Sequence, residues 1–177
     1  MAIFGTLGEP EFTIREKLSE LDYAHVPYEK MPAGSVIQFK YYKSSAASIY
    51  SSSTTYVDAG LTASFYPKFV NSMIKLEIKS SRFNLVNASY MIVAVSRDGG
   101  NTYIGEDSQS NIREIYFRNS NSSGANQISY GLYFPWIDFP NTTEKIDYKI
   151  YYASGDGDPA YLADSGGVQM YITEIKQ

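Results

Sequence analysis

The feature that most constrains the fold is a period-two alternation of apolar and polar residues that recurs along much of the chain. It is clearest in residues 73–80, where isoleucine and leucine alternate with lysine and glutamate. Successive side chains of a β-strand point to opposite faces, so this pattern predicts a strand with one buried face and one wet face. Residues 89–97 are nearly all apolar and predict a central strand.

Clusters of turn residues divide the chain into many such short segments. The other candidate strands are residues 35–42, 55–58, 61–66, 102–104, 113–117, 127–134, 146–152, 160–163 and 168–175. Short strands at this spacing predict an all-β chain that folds as an antiparallel β-sandwich, most like a jelly roll. Residues 43–55, eight of which are Ser or Thr, predict an exposed loop or an edge strand with weak patterning.

Residues 1–34 predict an N-terminal arm that precedes a sandwich domain at 35–177. The arm holds six acids against three bases, so it carries most of the net charge of −4. Residues 13–22 predict a short amphipathic helix, because a capping-box pair, Thr13 and Glu16, opens a segment with one apolar stripe. A helix of this length is not stable alone in water, so the stripe must dock on this domain or on a partner.

Composition excludes several kinds of site. The absence of Cys excludes disulfides, thiolate metal sites and a cysteine nucleophile, and His25 alone cannot form a multi-histidine site within one chain. A net charge of −4 argues against nucleic-acid binding. No apolar run approaches the roughly 20 residues that span a bilayer, and the N-terminus does not have the pattern of a signal peptide. We therefore expect synthesis in a cytoplasm, no membrane insertion and no cofactor.

The acidic residues leave alternatives open. Residues 96–103 fit the Asp-box pattern, in which short polar side chains tie a hairpin turn to its own backbone, and this structural interpretation is favoured. Paired acids in the segments 106–107 and 156–158 are typical of solvated turns, but they could also hold calcium. A glycan-cleaving pair could be built on Asp98, Glu106, Asp107 or Asp156. We expect no enzymatic activity.

The segment 134–140 contains three aromatic residues and two prolines. Trp136 could stack on a sugar or anchor a partner, but the favoured interpretation is a strand end and rigid corner that closes the core. The richness of the chain in Tyr, with 17 residues, suits half-exposed strands and interfaces, because the ring is apolar and the hydroxyl is polar.

A series of short motifs then follows in order from Pro32 to near the C-terminus. They lie at residues 32–38, 55–61, 66–67, 75–78, 97–99, 138–143, 148–150 and 167–175. In this order the motifs resemble a domain of virion proteins of marine bacteriophages, especially cyanophages, which occurs in tail fibres and in small surface proteins. The resemblance implies a non-enzymatic β-sandwich displayed on a virus particle, often as a homotrimer.

Only about 30 residues precede the domain, which is room for a tether but not for a fibre shaft. The expected function is therefore that of a capsid decoration protein, of the cement or knob-like kind, whose arm anchors it to the major capsid protein or other virion proteins. The candidate anchoring residues are Ile3, Phe4, Leu7, Phe12, Ile14, Leu18 and Leu21. The alternative is a tail-associated receptor-binding protein whose loops 43–54 and 153–166 recognise a host surface glycan.

Overall fold

The computed structural model describes residues 27–86, 90–104, 115–118 and 128–177. Within these ranges a 3-10 turn at Tyr28–Lys30 precedes ten strands. The strands are β1 (Val36–Lys43), β2 (Ile49–Ser51), β3 (Val57–Phe65), β4 (Met73–Leu85), β5 (Tyr90–Ser96), β6 (Ile115–Arg118), β7 (Ile128–Asp138), β8 (Ile146–Ser154), β9 (Ala160–Ala163) and β10 (Val168–Ile175). The prediction of an all-β chain is confirmed.

The strands form two antiparallel sheets whose order is that of a jelly roll. Sheet A has the order β1-β10-β4-β7, and sheet B has the order β3-β8-β5-β6. In sheet A, β9 pairs with the far end of β4 on the same edge as β10, and β2 pairs with β9. The predicted antiparallel β-sandwich is therefore confirmed.

The core lies between the two sheets and follows the alternation seen in the sequence. Strand β10 alternates buried and half-buried residues along its whole length, and β4 alternates buried residues with half-buried or exposed ones from Met73 to Ser80. Strand β5 lies between β8 and β6, which confirms the central strand predicted at 89–97. The largest fully buried side chains include Tyr148, Tyr152 and Phe65.

Strand β4 is longer than the sequence predicts because it contains a bulge. Its pairing with β7 shifts register between Ser80 and Phe83, where Ser81 and Arg82 are both exposed. Two consecutive exposed residues break the period-two pattern, so the sequence signal stops while the strand continues to Leu85.

Four other predicted segments differ from the structure. Segments 55–58 and 61–66 belong to one strand, β3, whose register is interrupted around Gly60 (φ 73°). Segment 102–104 is not a strand, because it belongs to the turn that Asp98 organises. Strand β7 continues through Pro135. Proline has no N–H to donate to a neighbouring strand, and an edge strand tolerates this because one of its sides has no neighbouring strand.

The predictions made for the first 26 residues lie outside the described residues. These predictions are the helix at 13–22 and the anchoring role of Ile3, Phe4, Leu7, Phe12, Ile14, Leu18 and Leu21. The division into an arm at 1–34 and a domain at 35–177 stays a prediction.

Candidate binding surfaces

The Asp-box segment is a structural turn. The Asp98 carboxylate accepts hydrogen bonds from the backbone N–H groups of Asn101 (3.1 Å) and Thr102 (2.9 Å) and from the Thr102 hydroxyl (2.6 Å). Ser96 donates to the same carboxylate and accepts from the N–H of Gly100. Burial alone would raise the pKa of Asp98, but these hydrogen bonds outweigh it and lower its pKa to about 2. The interpretation of this segment as a turn tied to its own backbone is confirmed, and the Asp98 carboxylate is used within that turn.

Two other acids of the loops, Asp156 and Asp164, also have local partners. Asp156 accepts from the N–H of Asp158 at 3.4 Å, and Asp164 forms an ion pair with Arg82 at 3.2 Å. Glu106 and Asp107 lie outside the described residues. Within the part of the chain that the structure describes, no group of three or more acidic or histidine side chains is placed to hold a metal.

Two buried carboxylates were missed by sequence reasoning. Glu174 points into the core at the end of β10 and accepts hydrogen bonds from the chain that connects β3 to β4. Asp138, at the end of β7, accepts from Arg97 at 2.7 Å and from the hydroxyl of Tyr148 at 2.9 Å. Burial and the neighbouring Asp138 carboxylate raise the pKa of Tyr148 well above its usual value. Both acids occupy inward positions of the alternation, which is the one sequence signal that could have found them.

Trp136 lies in the core. It is buried beside Phe134, with ring centroids 4.7 Å apart in an edge-to-face arrangement. The prediction that Trp136 belongs to the core is therefore confirmed, but Trp136 lies within β7 and not at a corner. A buried ring is not available to stack on a sugar.

The two loops predicted to hold a glycan lie side by side. The N–H of Ser154 donates to a carbonyl of the loop 43–54 at 2.7 Å. Tyr50 of β2 stacks on Tyr161 of β9, with ring centroids 5.0 Å apart, and remains largely exposed. The structure therefore brings loops 43–54 and 153–166 to one end of the sandwich.

The root of the arm is bound to the sandwich through Lys176. Its ammonium group donates to the backbone carbonyls of Tyr28 (3.2 Å), Glu29 (2.6 Å) and Met31 (2.7 Å). The N–H of Gly34 donates to the carbonyl of Lys176 at 2.7 Å. Residues 28–34 are thus attached to the end of β10 in sheet A.

The most unusual surface is the outward side of sheet A, which we call the aromatic face. Directly paired residues of antiparallel strands project from the same side of a sheet, so the register defines this face. Its apolar members are Val36, Phe39, Tyr41, Met73, Tyr133, Pro135, Ile137, Tyr171 and Ile175, and its polar members are Lys43, Lys75, Glu77, Lys79, Gln169 and Thr173. Such a face normally carries mainly polar residues, yet Phe39 is 56% exposed and Ile137 is 54% exposed.

Internal contacts hold the rings of the aromatic face in place. Tyr171 packs against Tyr41, with ring centroids 5.1 Å apart, and its hydroxyl donates to Gln169 at 2.9 Å. Tyr133 donates its hydroxyl to Glu77, which also accepts from Lys75 at 2.8 Å. Hydrogen bonds from Lys75 and Tyr133 lower the pKa of Glu77, so this acid is ionised at neutral pH.

Comparison of the chain with protein-family models and with curated proteins finds no match in either. The helical residues in the described ranges form no segment long and apolar enough to cross a bilayer.

Proposed function

We propose that this chain is a non-enzymatic structural protein of a bacteriophage virion. In this proposal it is a capsid decoration protein, made in the host cytoplasm and bound to the major capsid protein or another virion protein through its N-terminal arm. The motifs that begin at Pro32 support the virion role, and the local use of the described loop acids is in keeping with a role in adhesion. A homotrimer is part of the proposal, and sedimentation of the purified chain tests it.

The single observation that carries the anchoring role is the attachment of the arm root to the sandwich. Three carbonyls of residues 28–31 accept from the Lys176 ammonium group, so a load on the arm is transmitted to β10 near the middle of sheet A. Each apolar side chain of the arm contributes about 1.5–3 kcal/mol if a partner covers it completely. Several such side chains are sufficient for firm attachment.

Deletion of residues 1–26 tests the proposal, because it removes the apolar stripe and leaves the contacts of Lys176 intact. We expect the truncated protein to keep its circular dichroism spectrum and its unfolding midpoint but to lose binding to capsids that lack the protein. A full-length variant with Leu18→Ser and Leu21→Ser should bind weakly, and one with the exposed change Glu144→Gln should bind normally. Undiminished capsid binding by the truncated protein would refute the anchoring role.

The second candidate is a tail-associated receptor-binding protein that recognises a host surface glycan. The exposed rings of the aromatic face favour it, because tyrosine is common at recognition surfaces. Copy number per particle separates the two candidates, since a shell protein is present in hundreds of copies and a tail protein in about a dozen. Gold label directed at the protein should mark the capsid under the first proposal and the tail under the second.

A further inference from the structure

A shallow depression of about 500 Å³ lies on the aromatic face, between strands β7, β4 and β10. Its lining residues are Glu77, Lys79, Tyr133 and Tyr171. The register pairs Glu77 with Tyr171 and Lys79 with Tyr133, so Glu77 and Lys79 lie between two rings. The depression therefore has aromatic walls and a charged floor.

The charges of this floor are not balanced within the face. The Glu77 carboxylate forms an ion pair with Lys75 and accepts a hydrogen bond from Tyr133. Lys79, by contrast, forms no ion pair within the described residues. Lys43 lies on the same row, two strands away, and likewise has no acidic partner among the residues described. Adjacent strands are about 4.8 Å apart, so the backbones of these two lysines are about 10 Å apart and their ammonium groups can approach one anion.

The rings are held before any ligand arrives. Tyr171 is held by Tyr41 and Gln169, and Tyr133 by its hydrogen bond to Glu77. Tyr133 nevertheless remains 59% exposed. Rings that are already ordered lose little conformational entropy when a ligand packs on them.

From this arrangement we infer that the depression is a binding site for an acidic saccharide, one that carries a carboxylate or a sulfate group. The C–H face of a sugar ring packs on the electron-rich face of a tyrosine. Sugar hydroxyls both donate and accept, which suits adjacent carboxylate, amide and ammonium groups. Lys79 and Lys43 supply the positive charge for the acidic group. The site is separate from the N-terminal arm and does not depend on the proposed position of the protein in a virion.

A protein partner fits this surface less well. Three charged residues of β4, Lys75, Glu77 and Lys79, run through the centre of the aromatic face. Lysine and glutamate are depleted from the centres of protein interfaces, because complete burial of their charges is costly. A saccharide leaves the floor partly hydrated and keeps its hydrogen bonds.

The test is a titration of the full-length chain with matched oligosaccharides, followed by NMR shifts or calorimetry. The probes are a glucuronic-acid oligosaccharide, a sulfated glucose oligosaccharide and a neutral glucose oligosaccharide of equal length. We expect the better acidic probe to bind at least about fivefold more tightly than the neutral probe. This preference should decrease as salt is added. The stronger of the two acidic probes identifies the anionic group.

Matched variants connect the binding to the depression. Lys79→Gln should remove most of the preference for acidic probes, and Tyr133→Leu should weaken the binding of all three probes. The controls are Lys40→Gln, an exposed lysine outside the aromatic face, and Tyr66→Leu, whose side chain is 58% exposed and also lies outside it. Neither control should change the affinity.

Several outcomes would overturn the inference. These are the absence of saccharide binding, equal affinity for acidic and neutral probes, or equal losses in the variants and their controls. Inorganic sulfate that competes as well as the sulfated probe would indicate a simple anion site. Competition by polyglutamate at equal charge would indicate a protein ligand. Binding of the chain to capsids is measured separately, so failure here leaves the proposed function standing.

Discussion

The buried carboxylate of Glu174 offers the sharpest test of how this sandwich is held together. One oxygen accepts from the backbone N–H groups of Lys68 (2.8 Å) and Phe69 (3.2 Å) and from the hydroxyl of Ser72. The other oxygen accepts from the side-chain amide of Gln38 at 2.6 Å. The side chain is fully buried, so no water replaces a lost partner. The change Glu174→Gln tests this arrangement with almost no change in volume.

The cost of the change follows from the donors that surround the carboxylate. The amide oxygen of a glutamine can keep the three bonds from Lys68, Phe69 and Ser72, but each loses about 1 kcal/mol when its acceptor becomes neutral. Its NH₂ group then faces the NH₂ of Gln38, and one unsatisfied buried donor costs about 1–3 kcal/mol. Gln38 cannot rotate to relieve this, because its amide also donates to the carbonyl of Tyr66 at 2.7 Å. The lower desolvation cost of a neutral side chain offsets part of the loss, which leaves about 2–3 kcal/mol.

Urea unfolding followed by the fluorescence of the single, buried Trp136 measures this cost. We expect the midpoint to fall by about 1 M, given the usual urea dependence of a domain of this size. Glu144→Gln is the matched control, because it makes the same charge change at an exposed position and should alter stability by less than about 0.5 kcal/mol. In a Gln38→Ala background the cost should shrink by about 1 kcal/mol, because the opposed donor is gone. A cost equal to that of the control would refute the argument that this carboxylate holds the connection between β3 and β4.

Three further changes probe other parts of the fold. Asp98→Asn should cost about 1 kcal/mol at pH 7. The folded-state pKa of Asp98 is lowered from 3.8 to about 2, so its contribution is complete above pH 3.8 and is lost as the pH falls toward 2; thermal melts of wild type and variant should therefore converge at acid pH. Tyr148→Phe leaves one buried oxygen of Asp138 without its donor and should lower the free energy of unfolding in urea by about 1.5–3 kcal/mol. Gly155→Ala places a Cβ 2.2 Å from the ring of Tyr90 and should cost about 1–3 kcal/mol by calorimetry, a cost that should largely vanish in a Tyr90→Ala background.

The fold was largely predictable from the sequence because strand alternation is a local property. Residues 73–80 show which side chains are buried without any knowledge of the neighbouring strands, and the structure agrees. The prediction failed where local rules break, as at the bulge of Ser81 and Arg82 and at Pro135 in an edge strand. In each case the strand continues because neighbouring strands pair with it, and that pairing is not a local signal.

The aromatic face was not predictable in the same way. The alternation of β4 indicates that Lys75, Glu77 and Lys79 face water, but it does not identify their neighbours. Tyr133 and Tyr171 lie far from β4 along the chain, and only the register of three strands brings them beside Glu77 and Lys79. The sequence therefore predicts a glycan site in the Ser-rich and Gly-rich loops, because unusual local composition is visible there.

There is also a physical reason why the aromatic face can stay exposed without pairing with another chain. Tyrosine adds a hydroxyl to an apolar ring, so Tyr133 and Tyr171 are ordered by Glu77 and Gln169 while their rings stay accessible. Within the described residues, β1 and β7 form the two edges of this part of sheet A, and an open edge invites pairing with another chain. Pro135 on β7 and the lysines of β1 oppose such pairing. The edges are therefore protected while the face remains open, which is the arrangement expected when the face binds a ligand and not another strand.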